Sequence, residues 1–321
     1  MKKTILVIML MLSTAFVYGG AGTSGGLLLD TSTGARPAGR GEAFTAASDV
    51  YSIYYNPAGL AFIGGPQAGA MYLKGALDTS YEYAAGALPL GALGTAGFSF
   101  YAFQGGVIEV ADALGNTTNK NSQSDILVTG AFAKQILLKG FSAGVSIKAL
   151  FSTLVEDYRA SAVTLDLGVL YKLDDLAIGA SVANIIGELK YLDVGDKLPL
   201  IIRAGGEYSL KLDAENEAVV SADVVSSDKM RFNAGVEYCY QKQIFGRLGY
   251  RALQDAGGLT LGGGYKLVLS EGLAGSIDYA FVTGGGWNEA HKISMNIYFE
   301  DTKSTVGANP VKKNNRNKYY R

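Results

Sequence analysis

The sequence predicts an all-β fold, an antiparallel transmembrane β-barrel of about fourteen strands. Three observations carry this. Polar and apolar residues alternate with a period of two from about Gln67 to Phe299, the pattern that sends successive side chains to opposite faces of a strand. Beyond residues 1–19 no apolar run of about 18 residues remains, so no helix could span a bilayer. The composition is rich in Gly (43) and Tyr (20) and poor in charge, with 18% charged residues against a typical ~25%.

The same composition excludes several functions. One His and one Cys cannot build a His/Cys zinc site or an intrachain disulfide. Histidine acid–base chemistry would rest on His291 alone, which points away from an enzyme; no cofactor or metal is expected. A formal net charge of −1 argues against a general nucleic-acid binder.

Residues 1–19 read as a secretory signal peptide. Lys2 and Lys3 form a basic start, Ile5 to Leu12 an apolar core, and Val17-Tyr18-Gly19 the small-residue cleavage region. Cleavage is expected near Gly19, with Gly20 and Ala21 as alternatives. The exported chain without a spanning helix is then either a soluble secreted protein or a membrane β-barrel, the other structure that satisfies its backbone in lipid.

Strands are expected at 66–74, 80–89, 94–104, 123–136, 140–154, 158–172, 175–184, 199–210, 217–225, 230–241, 244–252, 258–268, 272–283 and 291–300. In the segment from Phe141, one face carries Phe141, Ala143, Val145, Ile147 and Ala149, and the other Ser142, Gly144, Ser146 and Lys148. A further stretch, Val107 to Val110, extends a strand or lies in a loop. A β-sandwich also alternates, but it solvates its polar face with many Lys and Glu; here that face is Gly, Ser, Ala and sparse charge. An even number of strands lets the barrel close without free edges. The long connections, 105–122, 187–198 and 284–290, do not all fall at one end in this reading. Tyr81, Tyr83, Tyr101, Tyr158, Tyr171, Tyr208, Tyr238, Tyr250, Tyr265, Tyr279 and Tyr298 are expected near strand ends, in interfacial girdles.

Alternation sends Lys148, Asp166, Arg203, Glu207, Asp223, Arg231, Glu237, Arg247, Arg251, Lys266, Asp278 and Lys292 into the lumen. Both signs are mixed, so these charges are expected to pair with one another. Cys239 falls on the same face. Gly262-Gly263-Gly264 and Gly284-Gly285-Gly286 lack the Lys-Ser/Thr of a phosphate loop. Asp174-Asp175 reads as a hairpin turn. Residues 301–321, with Lys312, Lys313, Arg316 and Lys318, form a basic tail that either is disordered or touches anionic headgroups.

Residues 34–61, GARPAGRGEAFTAASDVYSIYYNPAGLA, closely resemble the N-terminal signature of the PorV/PorQ family of FadL-like outer-membrane barrels. Gly34-Ala35-Arg36, Gly39, Gly41, Ala43-Phe44, Asp49 and Tyr55-Asn56-Pro57-Ala58-Gly59-Leu60 stand in register, and Tyr81-Glu82-Tyr83, Gly97-Phe98-Ser99, Asp166-Leu167-Gly168 and His291-Lys292-Ile293-Ser294 add to the match. Arg40-Gly41-Glu42 replaces the usual Met-Gly, Val50 stands where a second Asp is common, and the tail outruns the closing strand. The resemblance implies an outer-membrane protein with a signal peptide (1–19), a luminal hatch (20–65), a barrel (66–300) and a tail (301–321). It nominates Gly34, Arg36, Gly39, Gly41, Asp49, Asn56, Pro57, Ala58 and Gly59 as hatch or gate residues. It implies passive uptake of hydrophobic compounds such as long-chain fatty acids, with lipids and hydrophobic small molecules as partners. The alternative it implies is a shuttle of type IX protein secretion, whose partners would be secretion-system proteins.

Overall fold

The structure, a computed structural model, describes residues 26–75, 77–136, 138–253, 258–283 and 289–299. The expected signal peptide and tail, and residues 20–25 of the expected hatch, lie outside the described residues.

Among the described residues eighteen strands follow in chain order. They are β1 (Gln67–Lys74), β2 (Ser80–Pro89), β3 (Thr95–Gln104), β4 (Val107–Ala111), β5 (Thr117–Asn121), β6 (Gln123–Gln135), β7 (Phe141–Leu154), β8 (Tyr158–Leu173), β9 (Leu176–Ala183), β10 (Glu188–Lys190), β11 (Gly195–Lys197), β12 (Ile201–Lys211), β13 (Glu217–Ser226), β14 (Met230–Tyr240), β15 (Ile244–Ala252), β16 (Gly258–Ser270), β17 (Leu273–Val282) and β18 (Ala290–Phe299). All but β4, β5, β10 and β11 form one closed barrel of fourteen antiparallel strands. Closure comes from β1 pairing with β18, from Gln67 opposite Tyr298 to Lys74 opposite His291, which leaves no edge to satisfy in lipid.

The barrel strands fall within a few residues of their expected places, because the period-two pattern was written along each of them. The Val107 stretch is β4, paired with β5 in a hairpin that stands off the wall. The β10–β11 hairpin has only three residues per strand, too few to show a period.

One expectation is overturned. The strands that the long connections follow, β3, β9 and β17, all finish at the same end of the barrel, opposite the end where the chain joins β1. At the other end the connections are turns of a few residues, such as 174–175, 241–243 and 271–272. Antiparallel strands alternate direction, so each of these long connections follows an upward strand.

The two wall faces differ sharply. On β18, Ile293, Met295 and Ile297 point outward and are 47%, 59% and 47% exposed, whereas inward Lys292 and Ser294 are 4% and 1% exposed. The outward belt is apolar all round, with Val145, Ile147, Leu167, Val236 and Leu261 among its members, the surface a lipid-facing barrel presents. Tyr158, Tyr208, Tyr250 and Tyr265 belong to it. Tyr83 and Tyr101 do not: both are buried inside, and Tyr81 packs beside them. Tyr298 also faces inward, under the Lys266 ammonium. The girdle expectation is corrected for these four, whose parity puts them on the luminal face.

The lumen is filled by the chain that precedes β1. Residues 26–66 form 3₁₀ turns at Leu27–Asp30 and Pro57–Phe62 and short helices at Ala35–Gly39 and Ser52–Tyr55. On one side, Leu28, Leu29, Ile53, Tyr54 and Leu60 pack against Met71, Leu73, Tyr83, Tyr101, Leu127 and Leu150 of the wall. The inward glycines explain the rest of the fit. At Gly249 a Cβ would collide with the Gly41 amide, and at Gly235 with the Arg40 carbonyl. Across the lumen, a Cβ at Gly144 would strike Pro57 and Ala58. The abundance of Gly on the polar face is therefore room for a second layer of backbone.

A side chain at Gly249 should push the luminal segment off the wall. Gly249→Leu is expected to destabilise the protein by on the order of 3 kcal/mol and to make residues 34–60 protease-sensitive. Gly246→Ala, on the outward face with nothing within 4 Å, should change neither the urea midpoint nor the cleavage pattern.

Candidate functional site

The luminal segment has little regular structure, so its backbone groups need partners. The wall supplies them. One Asp223 carboxylate oxygen accepts from the Phe44 amide (2.8 Å), the Thr45 amide (2.9 Å) and the Thr45 hydroxyl (2.7 Å). The Ala35 amide donates to Ser294 Oγ at 2.8 Å. Thr260 Oγ1 accepts from the Gly41 amide and donates to the Gly39 carbonyl. Ser142 and Ser181 hydroxyls donate to the Ala58 and Tyr55 carbonyls. Asn56 is fully buried; its Nδ2 donates to the Thr45 and Val169 carbonyls, and its Oδ1 accepts from the Ala58 amide. Pro57 starts the 3₁₀ turn after it, where a missing N–H costs nothing. Gly34 and Gly41 have φ of 81° and 64°, angles that suit glycine. Gly59 is wedged against Ala47 and Ser52.

Charged side chains make a second set of ties. The Arg36 guanidinium grips Glu237 with two bonds, at 3.0 and 2.8 Å, and reaches Asp49 at 3.1 Å. Glu237 in turn meets Arg247, which reaches Asp278 at 2.8 Å. Arg40, fully buried, bonds Glu207 at 2.9 Å and lies over the Phe44 ring. Arg231 bonds Asp30 at 2.6 Å and Arg251 bonds Glu42 at 3.2 Å. Lys148 pairs with Asp166 at 2.6 Å and donates to Asn184. Arg203 stacks over Tyr54 and Tyr55. Lys292 donates to the Ser32 carbonyl at 2.9 Å. Most wall charges thus answer a group on the luminal segment. Sequence reading did not single out Asp30, Ser32 and Glu42 as their partners; the only signal was acidic residues in a charge-poor stretch.

Space remains on both sides of the segment. At the long-connection end a cavity of about 560 Å³ is lined both by apolar side chains, Leu27, Leu73, Leu77, Tyr81 and Val282, and by the polar and charged Asp30, Ser32, Glu42, Arg231, Arg251 and Lys292. At the short-turn end lie smaller cavities of about 220 and 250 Å³. Arg36 borders both of the smaller cavities, Asp278 the first and Cys239 the second. Among the described residues, none borders both the large cavity and either of these two.

Burial of Glu42 opposes its ionisation, but Arg251 and then Lys292 outweigh it and hold the carboxyl at about 2. For Asp49 the balance reverses, and burial raises the carboxyl in spite of Arg36. Segment residues thus remain coupled electrostatically to the wall.

No protein-family model matches the chain, and no curated protein matches it. Solved structures do. The CymD monoaromatic hydrocarbon channel superposes with a TM-score of 0.54 at 12% identity, covering 84% of this chain and 98% of that one. The toluene transporter TodX of Pseudomonas putida gives 0.53 at 12%, covering 83% and 96%. A Pseudomonas aeruginosa FadL homologue gives 0.51 at 10%, covering 84% and 98%. At such identities the likeness is one of fold: the chain has a FadL-like barrel.

Glu42 gives the segment a pH signature. Its folded carboxyl sits at about 2 against an ordinary 4.5. The stability it contributes is therefore complete above pH 4.5 and lost as pH falls toward 2. Glu42→Gln should lower the unfolding free energy at pH 6 by on the order of 2–3 kcal/mol, and the two proteins should converge near pH 2 in acid titrations followed by circular dichroism.

Proposed function

We propose that the protein is an outer-membrane barrel for passive uptake of hydrophobic compounds, long-chain fatty acids being one such class, with residues 20–65 as the hatch. The observation that carries this reading is the lumen itself: a closed barrel, apolar outside, split by one segment into a large half-apolar cavity at the long-connection end and two smaller ones at the other. Long connections mark the outer side of such barrels and short turns the periplasmic side. The large cavity then faces the medium. The expected export signal and a fold like that of proteins named as hydrocarbon channels support the same reading.

The physical task fits. Apolar solutes cross the polar surface of an outer membrane poorly, and a barrel bypasses it with no energy source. The 34–61 signature supports placing the chain near the PorV/PorQ branch, on that motif alone. Nothing favours the type IX secretion shuttle: among the described residues the long connections carry only the β4–β5 and β10–β11 hairpins, so it is not proposed.

Two experiments test the reading. Cells that depend on this protein should accumulate at least one of two labelled apolar probes, oleate and toluene, faster than a deletion strain at equal metabolic rate; equal initial rates for both would sink the uptake function. Separately, removal of residues 36–55 should leave a folded, heat-modifiable barrel with higher single-channel conductance in planar bilayers. A folded barrel of unchanged conductance would show that the segment is not the barrier.

A further inference from the structure

The large cavity, half of its lining apolar, gathers three cations of the wall, Arg231, Arg251 and Lys292. Alone they would make a receptor for a carboxylate head. They are not alone. The luminal segment supplies Asp30 to Arg231 at 2.6 Å and Glu42 to Arg251 at 3.2 Å. Glu42 also attracts Lys292, whose ammonium is hydrogen-bonded to Ser32. Glu289, exposed at the cavity border, adds a third acid. Among the described residues the site therefore holds as many carboxylates as cations, and both salt bridges leave their acids partly buried, with side-chain exposures of 26% for Asp30 and 14% for Glu42.

We infer that Asp30 and Glu42 are selectivity residues: they act as built-in counter-ions that make the cavity take uncharged apolar compounds and reject the corresponding carboxylates. This rests on the uptake reading and narrows it. An entering anion would have to displace a tethered carboxylate or stand unpaired beside it, and leaving a charge unpaired in a partly dry site is costly. An uncharged ring or alkyl chain meets Leu73, Leu77, Tyr81 and Val282 and disturbs no pair.

Matched probes test it. Benzyl alcohol and benzoate share a ring and differ in charge at neutral pH, and both are soluble enough for isothermal titration of the full chain in detergent. The wild type should bind benzyl alcohol at least about tenfold more tightly than benzoate. In Glu42→Gln the ratio of the two affinities should shift toward benzoate by about tenfold or more, as Arg251 and Lys292 lose their counter-ion. Asp30→Asn, which releases Arg231 from a more exposed pair, should shift the ratio in the same direction and serves if the first variant does not fold. Equal affinities for both probes in the wild type would overturn the selectivity and leave the uptake reading standing. An unchanged ratio in the folded variants would overturn the role of Asp30 and Glu42. Binding of neither probe would overturn the uptake reading of this cavity, and the selectivity with it.

Discussion

A closed barrel in lipid has only one place for polar side chains, its inside, and every polar group sent there needs a partner. This one constraint organises the molecule. The outward face spends its positions on Val, Leu, Ile and aromatic residues. The inward face then receives nearly all the charge of the wall, including Lys148, Asp166, Asp223, Glu237, Arg247 and Asp278, each no more than 6% exposed. Such groups are tolerated only in pairs. The luminal segment supplies many of the partners, while the wall supplies hydrogen bonds to a segment too irregular to satisfy its own backbone. Each layer completes the other.

The two sides of the segment are held by different forces. Toward β1–β7 the contact is an apolar core of Leu28, Leu29, Ile53, Tyr54 and Leu60 with wall tyrosines and leucines. Toward β12–β18 it is ion pairs, the Asp223 carboxylate and the Thr260 hydroxyl, while Ser142 of β7 and Ser181 of β9 add hydroxyl bonds nearer the apolar core. Apolar contact falls off gradually with displacement and tolerates sliding. Ion pairs are directional, and breaking one buried pair costs ~3–5 kcal/mol unless water or another charge replaces the lost partner. The segment is therefore pinned more sharply on the polar side than on the apolar one. Arg36 is one such pin: it joins Asp49 of its own segment to Glu237 of the wall, and its side chain, 31% exposed, borders both small cavities.

Much of this was legible in the sequence. The fourteen barrel strands were written as alternation, and alternation puts the twelve named wall charges, from Lys148 to Lys292, on one face of their strands. The errors came where parity was not followed through. Tyr81, Tyr83, Tyr101 and Tyr298 were placed in girdles by their nearness to strand ends, although alternation turns them inward. The end to which each long connection belongs follows from counting strands, and the count was misapplied. Other features left no periodic trace. The β10–β11 hairpin is too short, and the luminal segment has no repeat from which its contacts could be read. Arg36 and Asp49 stood out through the signature, but the pairings Arg231–Asp30 and Arg251–Glu42 join residues about two hundred positions apart and exist only once the barrel has closed.

The irregularity of the segment is itself informative. A long helix would satisfy its own backbone and could leave the lumen without loss of hydrogen bonds. Here Phe44, Thr45, Gly39, Gly41, Tyr55 and Ala58 all bond through their backbones to wall side chains, so the segment is specified by the wall it touches. Those bonds go to hydroxyls and carboxylates, which water can replace one at a time. The apolar core has no such substitute, since water cannot replace lost apolar contact. A lumen that admits water from the short-turn end would therefore loosen the polar side first and leave the apolar side docked. The barrel wall would stand unchanged, because its own hydrogen bonds run from strand to strand around a closed circuit.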